Sequence, residues 1–205
     1  MVGPFMGDPL MWLMGANVAV FGCWHVLHPS FMRKHFLLSE QNIKAKRYHT
    51  VITSAFSHND LSHLGANMFA LFFMGRFLAS YSPQVLLMTY FACGVGGSLV
   101  FLVHQRMQRR GLWEMYTRPY GSSALGASGA VNGISTAVAV LAPMSQILLF
   151  PLPVPMPLFV ATALIMSRDL WGMYDGKGSN VAHSAHIGGA AVGAALGLLL
   201  RARVL

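Results

Sequence analysis

Long apolar stretches, broken by short polar segments, recur along the whole chain. Six of them approach the roughly 20 residues an α-helix needs to cross a bilayer. They run from about Pro9 to His28, His63 to Tyr81, Pro83 to His104, Leu125 to just before Pro143, Pro157 to Trp171, and Ala182 to Leu200. Each is read as a helix, because a backbone exposed to lipid must satisfy its own hydrogen-bonding groups. Hydropathy alone would start the fifth at Ile147, but Pro151, Pro153, Pro155 and Pro157 alternate there. Proline lacks an N–H and clashes inside a helix, so this segment is predicted to be extended, a loop or short strand leading into the helix. The fourth helix is then about 15–18 residues long, below the spanning length, and must begin or end beneath the membrane surface. Its small residues, Gly126 and Gly129 among them, suit a crowded central helix. The expectation is a single all-α, polytopic membrane domain over residues 1–205.

Composition removes the soluble alternatives. Of 205 residues, 55% are hydrophobic and 10% charged, where a soluble domain carries about 25% charged residues. The net charge of +8 would raise nucleic acid as a partner in a soluble protein. Here the basic residues lie in short loops between apolar runs, and no basic run interleaves with aromatics. The lipid bilayer, through its headgroups, is the expected partner, and nucleic acid is not. Cys23 and Cys93 sit inside apolar runs without metal-ligand neighbours, which argues against a disulfide framework or a metal site. No cofactor is implied. The opening MVGPFMGDPL lacks the Arg- and Ser-rich character of a transit peptide; either a leader has been removed or the first span directs insertion. The loop from Pro29 to Asn59 mixes Phe31, Phe36, Leu37 and Leu38 with charges, and reads equally as an interfacial amphipathic element or a hydrated loop.

Ionisable and polar residues inside spans are costly and mark function. His63 and Asn67 in the second span, Ser128 in the fourth and His186 in the sixth stand out. The second, fourth and sixth helices start from the same side of the membrane, and all four residues lie near a helix start. They therefore share a depth. A serine becomes a nucleophile when a base takes its proton, and neutral histidine is the usual base near neutral pH. His63 and Asn67, four apart, share a helix face and can aim two donors at an oxyanion. Unpaired amides of the fourth helix's first turn can add another. No acidic residue lies near His186 in the second, fourth or sixth span, so a dyad is expected rather than a triad. Each residue also has a bland reading: Ser128 packing in a Gly/Ala-rich helix, Asn67 as helix–helix glue, His183 as a bystander. Gly189, Gly193 and Gly197 follow His186 at four-residue spacing, and would let the sixth helix approach the fourth closely.

Three strings carry more than their composition. Gly126-Ala127-Ser128-Gly129 is GxSG, Ala185-His186-Ile187-Gly188-Gly189 is AHxGG, and His63 to Met68 is HxxxNM after Phe56-Ser57-His58. In this order and on these spans they resemble the rhomboid intramembrane protease family, over about Gly15 to Gly197. That resemblance implies a six-transmembrane-helix rhomboid bundle around a water-filled cavity. It implies Ser128 as nucleophile, His186 as base, and His63 and Asn67 as oxyanion stabilisers. Gly126, Gly129 and Gly189 would be supporting motif residues, and His183, three before His186, a residue that tunes or orients it. The substrates would be single-span membrane proteins whose helices unwind easily, with a small residue before the cleaved bond. The stretch from Arg47 to His58, with GASGAVN later, is most similar to organellar rhomboids of plants and algae, of the mitochondrial type. This implies a multi-pass protein of the mitochondrial inner membrane or another organelle membrane.

Two departures change that picture. Bacterial rhomboids often place a tyrosine four residues after the serine, stacked on the histidine; here Asn132 stands there, which leaves open what orients His186. Their Trp-Arg pair in the first loop is replaced by Phe31-Met32-Arg33. Arg33, Lys34, Lys44, Lys46, Arg47, Arg106, Arg109, Arg110, Arg118, Arg168 and Lys177 fall on the Ser128 side, and Arg76, Arg201 and Arg203 on the other. The positive-inside rule would make the Ser128 side cytoplasmic or matrix, the reverse of bacterial rhomboids, so the compartment stays open. Two other functions remain: a catalytically inactive rhomboid-like protein that binds transmembrane clients, and a small transporter with His63, His183 and His186 in a proton path.

Overall fold

The computed structural model describes residues 7–108, 123–148, 154–175 and 182–204. The N-terminal peptide to Met6, Pro151, Pro153, Arg109, Arg110, Arg118 and Lys177 lie outside them. Helix α1 (Pro9–Val26) starts on Asp8, whose side chain accepts from the Leu10 amide, with Pro9 in the first turn. Proline suits that position, where its missing N–H has no intrahelical acceptor to lose. The first loop folds as α2 (Pro29–Phe36), strand β1 (Leu38–Ser39), α3 (Glu40–Lys44) and α4 (Thr50–Thr53), followed by a 3₁₀ turn (Ser54–Phe56). Asn42 holds it together: its amide donates to the Arg33 and Leu37 carbonyls, and its oxygen accepts from Arg47. The loop is therefore built structure with a buried apolar anchor, Met32, rather than hydrated coil.

The remaining helices are α5 (Leu61–Ala79), α6 (Pro83–Gln108), α7 (Ser128–Leu141), α8 (Leu158–Asp175) and α9 (His183–Arg201). By length and composition α1, α6 and α9 can each cross a membrane. Large apolar side chains such as Phe69, Leu99, Leu164, Trp171 and Leu198 are exposed outward, while the interior mixes leucines such as Leu71 and Leu86 with small residues and buried polar ones such as Asn17 and Thr89. An apolar outer surface on helices of this length belongs to a bilayer solvent, and the chain is an all-α multi-pass membrane protein.

α7 begins three residues later than the hydropathy suggested. Ser123 and Ala124 form strand β2, antiparallel to β1 (Leu38 opposite Ala124), and Gly126 has φ +134. At 14 residues and ~1.5 Å per residue, α7 reaches about 21 Å, short of the ~30 Å hydrocarbon core. It lies at the centre, with Ala130, Ile134 and Ala137 fully buried. Beyond it, β3 (Gln146–Leu148) pairs with β4 (Pro155–Pro157), so the proline-alternating segment is extended where it is described.

The α7–α9 crossing is backbone on backbone. A Cβ on Gly189 would lie 2.0 Å from the Gly129 carbonyl oxygen, and one on Gly193 2.0 Å from that of Gly133. Side chains at either position would hold the helices apart, which is the reason for glycine at this four-residue spacing. A buried polar chain ties α1 in: Asn17 donates to Tyr90, which donates to the Ala55 carbonyl.

Candidate active site

Ser128 is the first residue of α7 and His186 lies in the first turn of α9, so the close crossing brings the two together. The turn before Ser128 is fixed from two sides. The Gly126 amide donates to the Ser54 carbonyl, and β2 is paired to the first loop. Glycine is required at 126: its φ lies in the region L side chains rarely adopt, and a Cβ there would meet the His63 ring at 2.8 Å. That virtual atom is also 3.5 Å from Ser128 Oγ, so His63 and Ser128 face each other across Gly126.

Ser128 Oγ is 2.8 Å from His186 Nε2. His186 Nδ1 is 2.9 Å from Asp169 Oδ2, and His183 Nδ1 is 2.7 Å from Asp169 Oδ1. Asp169 sits on α8 with its side chain only 1% exposed. The expectation of a dyad is therefore corrected: an acidic residue does reach His186, from the fifth span. Its helix runs opposite to the fourth and sixth, so its C-terminal half meets their starts. Of six acidic residues in the chain, Asp169 alone falls inside a predicted span, and that was the signal available. His183, an orienting residue or a bystander on the sequence, shares the same carboxylate. Asn132 does not supply the missing orientation; the side chain on His186 Nδ1 is Asp169.

Hydrogen-bond capacity settles the proton positions. A carboxylate only accepts, so both Nδ1 atoms donate to Asp169. In neutral His186 this leaves Nε2 with its lone pair directed at the Ser128 hydroxyl. The arrangement can take a proton from serine without any side chain moving.

His63 is half-buried in the first turn of α5. The turn is set by Asp60, which accepts from the His63 amide (2.8 Å) and the Ser62 hydroxyl (2.6 Å). These donors hold the Asp60 carboxyl below the usual carboxylate range. Asn67, buried, donates one N–H of its amide to the His63 carbonyl one turn back and keeps a second N–H to give. The first α7 hydrogen bond runs from Val131 N to Ala127 O, leaving the amides of Ser128, Gly129 and Ala130 without intrahelical acceptors. His58, behind His63 with ring centroids 5.0 Å apart, is buried. Burial first, then the charge of His63, pushes it down to about 4. A cavity of about 20 Å³ opens beside Ser128, its walls including Ala55, Gly94, Ala124 and Gly126. Asp169, His183 and His186 place potential metal ligands within 4.8 Å of one another, but the Nδ1 atoms and carboxylate oxygens that would bind an ion are directed at each other.

The rhomboid domain pattern matches residues 45–203. The chain belongs to the rhomboid family. As a rhomboid it is similar to RHOMBOID-like protein 12, mitochondrial, of Arabidopsis thaliana, 38% identical over 192 residues, covering 91% of this chain and 56% of that protein. It is 34% identical over 195 residues to Rhomboid protein 1, mitochondrial, of Saccharomyces cerevisiae, covering 90% of this chain and 51% of that one. With human presenilin-associated rhomboid-like protein, mitochondrial, identity is 31% over 188 residues, covering 88% and 45%. The chain spans about half the length of the curated relatives it matches. The fold is accordingly a rhomboid helix bundle, with α5, α7 and α9 carrying the HxxxNM, GxSG and AHxGG strings, in that order, to one end.

Proposed function

We propose that this rhomboid is an intramembrane serine endopeptidase, with Ser128 as nucleophile and His186 as general base. The observation that carries the reading is the 2.8 Å contact between Ser128 Oγ and His186 Nε2, at the start of two closely crossing helices. In the reaction, Ser128 Oγ attacks the scissile carbonyl as its proton passes to His186 Nε2. The oxyanion is met by first-turn amides of α7 and by His63 across Gly126. His186 then protonates the leaving amine, and water hydrolyses the acyl enzyme by the same route in reverse.

The substrates are single-span membrane proteins. A helix shields its carbonyls, so a substrate must unwind to reach Ser128, and residues such as Gly or Pro near the bond favour that. The cavity beside Ser128, about 20 Å³ and lined by small residues together with Leu38 and Leu125, suits a small side chain before the cleaved bond. The mitochondrial names of the relatives support placement in a mitochondrial membrane, with the residues forming one rhomboid domain. The test combines fluorophosphonate labelling with cleavage of a single-span substrate in proteoliposomes. Wild type is expected to label and cleave, and Ser128→Ala and His186→Ala to do neither while folding normally. Absence of labelling in the wild type would favour the inactive client-binding reading, and near-normal turnover in either variant would refute the assignment.

A further inference from the structure

Asp169 stands out as a cost. A carboxylate 1% exposed inside a membrane bundle loses most of its hydration, and such a group is retained where its environment uses it. Arg168 beside it is exposed, and among the described residues Asp169 pairs with two histidines. Among the described residues, the charged and titratable groups facing this carboxylate are His186 and His183 from α9, with His63 beyond His186. We propose that Asp169 is a positioning residue for the proposed proton transfer, fixing the tautomer and ring orientation of His186, and that His183 is a second positioning residue holding Asp169. The inference rests on the Ser128–His186 reading.

The geometry divides the labour between two oxygens. Oδ2 takes the Nδ1 proton of His186, which obliges Nε2 to present a lone pair to Ser128; the opposite tautomer would put an N–H against the hydroxyl and stop proton uptake. Oδ1 takes the Nδ1 proton of His183, so the carboxylate cannot rotate away without breaking both bonds. The His183 ring is in turn slotted against Gly172, three residues along α8 from Asp169, where a Cβ would sit 2.4 Å from His183 Nε2. A bystander histidine needs neither the carboxylate nor the slot. When His186 becomes cationic during acyl transfer, the same carboxylate stabilises that charge. This also answers how His186 is held with asparagine at position 132.

The experiment measures kcat, KM and the pH profile of the full chain on a single-span substrate, alongside thermal unfolding. Asp169→Asn is expected to lower kcat about 10²–10⁴-fold with KM little changed. The acid limb of kcat/KM should move to lower pH, because the carboxylate that favours the imidazolium is gone. His183→Asn places an amide donor where Nδ1 was and is expected to keep most of the turnover. His183→Leu, lacking the donor, should lose about tenfold. Wild-type kcat and an unmoved acid limb in Asp169→Asn would overturn the proposal. Should Asp169→Asn fail to fold, the His183 pair decides: Leu below Asn sustains it, and both at wild-type turnover overturn it. Ser128→Ala runs in parallel, since an active Ser128→Ala refutes the underlying reading rather than the role of Asp169.

Discussion

Replacing Gly189 with alanine is expected to disable the site from one helical turn away. The added Cβ would lie 2.0 Å from the Gly129 carbonyl oxygen and 2.7 Å from its carbonyl carbon. These are backbone atoms of a close-packed helix, so relief requires α7 and α9 to part. Opening the 2.0 Å contact to an ordinary 3.4 Å is a displacement of about 1.4 Å, large for an interior packed at crystal density. Gly129 neighbours Ser128, and Gly189 is on the His186 helix, so the same movement would stretch the 2.8 Å Ser128–His186 contact beyond hydrogen-bond range. A misplacement of about 1 Å costs about 10²-fold in turnover, and overpacking of this kind costs about 1–3 kcal/mol of stability. Gly193→Ala, with the same 2.0 Å clash but against Gly133, should destabilise comparably and impair turnover less, being a turn further from His186. Gly65→Ala is the control: a Cβ there meets nothing within 4 Å. The assays are thermal unfolding in detergent and single-span substrate cleavage. If Gly189→Ala matched Gly65→Ala in both, the backbone-on-backbone crossing would be refuted.

His63→Ala is expected to lower kcat about 10–10³-fold with substrate binding unchanged, and Asn67→Ala to lower it less, because one of the two Asn67 N–H groups is held by the His63 carbonyl; steady-state kinetics showing equal losses would contradict that ordering. His58, held near 4 against an ordinary 6.5, makes stability pH-dependent. The unfolded chain takes up this proton first, so stability falls as pH drops below about 6.5 and levels off near 4, by about 3 kcal/mol over the full shift. Unfolding midpoints measured between pH 7 and 4 should therefore decline less steeply in His58→Gln than in wild type, and parallel declines would count against it.

The pairing of Ser128 with His186 was legible because two local strings and the alternation of helix direction both put them at the same end. The glycine row at 189, 193 and 197 was legible from its spacing, which repeats one face of a helix. Asp169 was not legible as a partner of His186 because α8 runs the other way and reaches the site with its C-terminal half. Which side of α8 faces inward depends on rotation about its axis, and with Arg168 and Asp169 adjacent, hydropathy does not say which of the two turns in. The start of α7 was placed early because Leu125, Gly126 and Ala127 are as apolar as the helix after them; only the backbone turn at Gly126, and a β1–β2 pair two residues long on each strand, end it at Ser128. The first loop was undecided for a related reason: its order comes from Asn42 bonding to backbone carbonyls, which leaves no mark on hydropathy.

The Asn17–Tyr90 contact bears on how the chain enters the bilayer. Synthesis delivers α1 well before α6, and an asparagine side chain at mid-helix is a burden on insertion until its partner arrives. Asn17 Nδ2 has two acceptors, the Leu13 carbonyl of its own helix at 2.8 Å and the Tyr90 hydroxyl at 3.1 Å. The first is available as soon as α1 has coiled, so the side chain can enter lipid with one proton already satisfied and keep the other for docking. Tyr90 then finds Asn17 on one side and the Ala55 carbonyl on the other. Its arrival fastens α1 and the loop after it in a single step, making α6 the latch of assembly.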